Sequence, residues 1–175
     1  VEDDVAGSGT GSGNVIIVDG ELLLDDYTDT GTQPSATRSV DLSQATSAIF
    51  RFDFRTSAGV DATQDRITVD VSSDGGQTFS TLEVFDSFAG AVSGSRSYDL
   101  TPYLSADTRI RFRVDDYYGG ENEYFAVDNV EIAATSCSSD TSFSVRDEFN
   151  SATFGGNYGS ADWIGEWVED DVAGS

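Results

Sequence analysis

The run Ile49-Phe50-Arg51-Phe52-Asp53-Phe54-Arg55 alternates aromatic and charged side chains without a break. An α-helix would scatter these residues around its circumference. A β-strand sends successive side chains to opposite faces, so all three phenylalanines enter one core and Arg51, Asp53 and Arg55 face out. Arg109-Ile110-Arg111-Phe112-Arg113-Val114 repeats the pattern, with three arginines in one row. Similar short runs lie near 15–18, 21–24, 37–42, 66–72, 80–85, 96–100 and 124–132, with weaker ones near 144–149 and 163–168. Gly, Ser, Asp and Thr separate them, and no run has a 3.6-residue period. Asp74-Gly75 between two alternating runs is a hairpin signal. About ten short strands predict an all-β chain: a two-sheet antiparallel β-sandwich of jelly-roll type.

Val1-Glu2-Asp3-Asp4-Val5-Ala6-Gly7-Ser8 recurs as Val168-Glu169-Asp170-Asp171-Val172-Ala173-Gly174-Ser175, an interval of 167 residues. A duplicated cloning scar would produce this. So would a window on a tandem array of nearly identical repeats, and that is the reading we adopt, since repeats of this kind change the whole architecture. Residues 1–134 then hold the bulk of one repeat. The polar stretch 135–143 reads as an inter-repeat linker. Residues 144–175 are either the opening strands of the next repeat or a donated segment that completes the sandwich of 1–134.

Charge narrows the function. There are 32 acidic residues against 9 basic ones, all arginine, for a net charge of −23. Such a field repels nucleic acid and anionic membranes and attracts cations. With no histidine, Ser-His-Asp and Cys-His catalysis are excluded and a zinc site is disfavoured. No stretch is apolar enough to insert in a membrane. The single cysteine, Cys137, allows no disulfide within the repeat. Nothing in the spacing of the acids selects a pair for glycoside hydrolysis, so an enzyme is not expected. Calcium, which takes six to eight oxygen ligands, is the one cofactor the residues suggest. Acid-rich loops that could chelate it include Asp25/Asp26/Asp29 and Asp115/Asp116 with Glu121 and Glu123; from these we take Asp116 and Glu121 as candidate ligands. Trp163 and Trp167, four apart, share a face on a strand. They serve either as core or as a platform on which a sugar ring stacks.

Arg146-Asp147-Glu148-Phe149-Asn150 followed by Asp162-Trp163-Ile164-Gly165-Glu166-Trp167 resembles the opening of a jelly-roll repeat of very large bacterial adhesin-like surface proteins. Phe52-Asp53-Phe54-Arg55, Ser73-Asp74-Gly75-Gly76 and Tyr98-Asp99-Leu100-Thr101-Pro102-Tyr103-Leu104 follow its pattern. The closing Ala126-Val127-Asp128-Asn129-Val130 is also similar to MAM-like and carbohydrate-binding sandwiches. The resemblance implies an extracellular or cell-surface, non-catalytic module, often calcium-stabilised. It places a calcium site where the first and last strands meet, with Asp147, Glu148 or Asn150 near Asp128. The expected function is that of a structural repeat in a filament or adhesin stalk, partnered by neighbouring copies and possibly linked by strand donation. The alternative is a carbohydrate-binding module displayed multivalently to glycans.

Overall fold

A computed structural model describes residues 11, 13–27, 33–120, 122–136 and 141–170. The strands are β1 (Val15–Val18), β2 (Glu21–Leu24), β3 (Ser35–Val40), β4 (Ala45–Thr56), β5 (Arg66–Ser72), β6 (Ser80–Phe85), β7 (Ser93–Asp99), β8 (Thr108–Asp116), β9 (Phe125–Ser136), β10 (Ser142–Asp147) and β11 (Ile164–Asp170). Among the described residues the only helical element is a 3-10 turn over Thr101–Tyr103. Six strands form one sheet in the order β1-β2-β9-β4-β7, with β10 also on β9. Five form the other, in the order β11-β3-β8-β5-β6. Every pairing is antiparallel. This is the expected two-sheet sandwich.

The period-2 pattern sets which side chains meet. Phe50, Phe52 and Phe54 of β4 are buried, as are Ile110, Phe112 and Val114 of β8 on the facing sheet. Phe52 and Phe112 meet edge-on at 5.0 Å between ring centroids, a geometry the ring quadrupoles favour. The arginines in the other phase reach carboxylates on neighbouring strands and loops. Each of the nine in the chain meets one. The row on β8 is therefore consumed by Asp107, Asp70 and Asp115.

Turn chemistry follows the sequence. Asp19 and Gly20 both take positive φ (53° and 82°) between β1 and β2, as the tightest antiparallel hairpins require. In the β5–β6 turn, Asp74 accepts hydrogen bonds from Ser72 Oγ, Thr78 N and Thr78 Oγ1. These bonds stabilise its charged form and hold its carboxyl down to about 2.

The stretch expected as a linker contributes to both strands of a hairpin. Thr135 and Ser136 end β9, Ser142 and Phe143 begin β10, and Ser142 faces Thr135 in register. Residues 137–140, Cys137 among them, lie outside the described residues, as do Asp29 and the first copy of the octet. Residues 142–170 lie in the same sandwich as the strands before them: β10 pairs with β9 and β11 pairs with β3.

Candidate functional site

Two features stand out: the way residues 142–170 lock into the sandwich, and a polar hollow on the outer face of the six-stranded sheet. The lock begins at Arg38. Along β3, Ala36, Arg38 and Val40 point inward, so the guanidinium sits where the pattern calls for an apolar residue. It is 2% exposed and forms an ion pair with Asp147 of β10, itself 0% exposed. Asp147 also accepts from Trp167 Nε1 at 3.0 Å and from the backbone N–H of Phe149 at 3.0 Å. The guanidinium lies over the Trp163 ring at 4.8 Å and over the Trp167 ring at 5.8 Å, a cation–π arrangement. Phe149 and Phe112 pack on Trp167 at 6.0 Å each. Burial pulls the Arg38 guanidinium below its ordinary range, while the charge of Asp147 pulls it back up.

The backbone around Asp147 is shaped to this lock. Phe149 takes φ 47°, an outlier for a bulky residue. It lies two residues past the end of β10 and returns its N–H to Asp147. A Cβ at Gly156 would collide with Asp147 Oδ1, so only glycine fits there. The loop that follows folds back over the edge of β10 through Tyr158 N–Arg146 O and Ala161 N–Ser144 O bonds of 2.8 and 2.9 Å.

The hollow arises from a bulge. The β4–β9 register shifts between Arg51 and Asp53, and Asn129 opposite takes φ 51°. A bulge re-aims side chains. Here Asp128 and Asn129 in succession reach polar partners on the outer face. Asn129 Nδ2 donates to Asp53 Oδ2 at 2.9 Å, and Arg146 donates to Asn129 Oδ1 at 3.1 Å. Glu21, Asp53, Arg55, Asp128 and the small residues Ser93–Ser95 line a hollow of about 400 Å³. A second of about 510 Å³ shares Asp53 and Ser95 and runs on to Asn129, Glu131 and Arg146. Burial raises the Asp128 carboxyl above its usual range, and the charges of Glu21, Asp53 and Glu148 add to this. The Asn129 N–H works against them.

Of the acidic residues expected around calcium, Glu148 comes near enough to Asp128 for its charge to act there, but the others are placed apart. Asp147 is inside, held by Arg38. Glu148 pairs with Arg146 at 2.9 Å and accepts from Asn150 Nδ2 at 2.8 Å. Asp128 faces the hollow. Asp116 is an exposed neighbour of Arg66 at 4.0 Å, and Glu121 lies outside the described residues. Among the described residues, no three acidic or thiol side chains gather closely enough to hold a metal ion. The described residues named for a calcium site therefore do not fit one as a set. Trp163 and Trp167 are 6% and 4% exposed, so neither ring offers a face to a sugar. Arg38 was the residue missed; its inward phase between Ala36 and Val40 was the available signal.

A two-sheet sandwich closed by a buried ion pair, with an outer polar hollow, defines a β-sandwich module. The chain belongs to the Reelin subrepeat B family, whose model matches residues 13–133, which is β1 to nearly the end of β9. Among solved structures, one titled Family 16 Carbohydrate Binding Module-2 is similar at 15% identity with a TM-score of 0.43, covering 74% of this chain and 99% of that one. No curated protein matches.

Proposed function

We propose that the chain is a non-catalytic structural unit of an extracellular tandem-repeat protein, a bead in a filament or adhesin stalk. The observation that carries this reading is the octet. It recurs at an interval that spans one sandwich, and its second copy begins inside β11. Repetition of a domain that closes on itself yields a chain of beads. The excess of acid, with every arginine already paired, keeps such beads soluble and mutually repelling, which favours an extended string. A compact domain of this length has a radius of gyration of about 15 Å, hence a diameter of about 40 Å.

The test is solution X-ray scattering from a protein in which residues 9–175 are appended after Ser175, so that two repeats share one octet. Two beads in line give a radius of gyration of about 25 Å or more, whereas one merged globule of that length gives about 20 Å. The smaller value would refute the beaded string.

A second reading is favoured by the outer hollow alone. Asp53, Asp128, Asn129 and Arg146 set fixed acceptors and donors above small serines. That arrangement suits the hydroxyls of a glycan, with affinity gained by repetition along the string. Titration of the two-repeat protein with neutral and uronic oligosaccharides, followed by amide chemical shifts around Ser95 and Asn129, tests it. Unmoved shifts at millimolar sugar would remove it.

A further inference from the structure

The segment from β10 to β11 is joined to the rest of the sandwich by side chains with no counterpart there. Asp147 and Glu166 are the carboxylates whose charge acts on Arg38, and both belong to this segment. Phe149, Phe154, Trp163 and Trp167 are all buried, and all come from it. Its backbone attaches along two seams, β10 on β9 and β11 on β3. The family match ends at residue 133, before the segment begins. Without it, the body over β1–β9 has an inward-facing guanidinium between Ala36 and Val40 with no acid to meet it, and an uncovered β3 edge.

We infer that residues 142–170 are an exchangeable plug and that the slot around Arg38 also takes the corresponding segment of a second copy of this chain. This rests on the repeat reading above and adds the means of joining. Val168, Glu169 and Asp170 pair with Thr37, Ala36 and Ser35, and the same three residue types stand at Val1, Glu2 and Asp3. With a period of 167 residues, each body has one plug-bearing stretch before it and one after it, and a single slot. Closure by the following plug makes a bead of residues 13–170. Closure by the preceding plug makes a bead with the two ends exchanged. The slot recognises both equally, because recognition lies in Arg38 and the β3 edge. A plug displaced from one body is free to enter another, the usual route to exchanged oligomers.

Charge reversal separates exchange from mere packing. Full-length R38D cannot accept its own plug, because the new carboxylate would face Asp147. Full-length D147R cannot either, because the new guanidinium would face Arg38. Mixed in equal amounts and refolded from denaturant, they can exchange plugs so that one slot holds the native acid and base and the other holds them reversed. Native mass spectrometry is expected to show a 1:1 heterodimer, at least tenfold more abundant than any dimer of either variant alone, with a cooperative melt regained. No gain in heterodimer over the separate variants would overturn the proposal.

A peptide of residues 142–175 gives a second reading that does not depend on dimer geometry. The wild-type peptide should bind full-length D147R and the D147R peptide should bind full-length R38D, each at least tenfold more tightly than the opposite pairing. Equal uptake of both peptides, or uptake of neither, would also overturn it. Neither measurement uses two linked repeats, so failure here leaves the scattering test of the beaded string untouched.

Discussion

Replacing Asp147 by alanine removes the acid from a buried pair and leaves Arg38 charged, 2% exposed and without its carboxylate. Breaking such a pair from one side costs about 3–5 kcal/mol, mostly the cost of the uncompensated charge. The change also orphans the N–H groups of Trp167 and Phe149. An unsatisfied buried donor costs about 1–3 kcal/mol, though these losses overlap with the first and do not simply add. A loss of about 4–6 kcal/mol results, a large share of the 5–15 kcal/mol typical of a folded domain. At about 2–4 °C per kcal/mol for a chain of this size, the melting temperature should fall by about 8–24 °C. Trp163 and Trp167 are the two tryptophans in the chain, and both sit in the closing segment. Tryptophan fluorescence therefore follows the plug while far-ultraviolet circular dichroism follows both sheets. In Asp147→Ala the fluorescence transition should come first. The double replacement R38M/D147L removes both charges and should recover most of the loss, since apolar residues of similar volume commonly match a buried ion pair. A loss below about 1 kcal/mol for the single change, or a double variant no better than the single, would refute the argument that this pair closes the sandwich.

Three further outcomes are expected. Gly156→Ala should displace Asp147, since the added carbon would collide with Oδ1; urea titration should show it less stable, with the fluorescence transition shifted more than the dichroism. The Asp128 carboxyl is held above its usual range in the folded chain, so the folded state binds the proton more tightly, and stability falls as pH rises from the ordinary carboxylate value through the folded one. Asp128→Asn keeps the Oδ1 acceptor and should therefore melt higher than wild type at pH 7, with the difference closing below about pH 4; an equal gap at both pH values would contradict this. Finally, net charge −23 predicts that sodium chloride raises the melting temperature by screening self-repulsion. Calcium chloride at equal ionic strength should add nothing further, because among the described residues no three acids gather closely enough to hold the ion; a larger rise with micromolar calcium would establish a specific site.

Residues 49–55 and 109–114 fixed their own faces before any folding, because a period of two admits one burial pattern. The same logic identified the sandwich, the Asp74-Gly75 turn and the inward tryptophans as one of two readings. Composition excluded histidine chemistry outright, and the recurring octet pointed to repetition. Which acid meets which base was not legible. Asp147 and Arg38 stand 109 positions apart, and with 32 carboxylates for 9 arginines pairing by chain proximity is ambiguous. The bulge at Asn129, which turns Asp128 toward the hollow rather than toward Asp147, depends on the register of β9 against β4. That register is set by the summed burial of both strands. Local alternation is a property of the backbone and survives in the sequence. The closing ion pair and the hollow depend on how two sheets stack, and only the tertiary structure decides that.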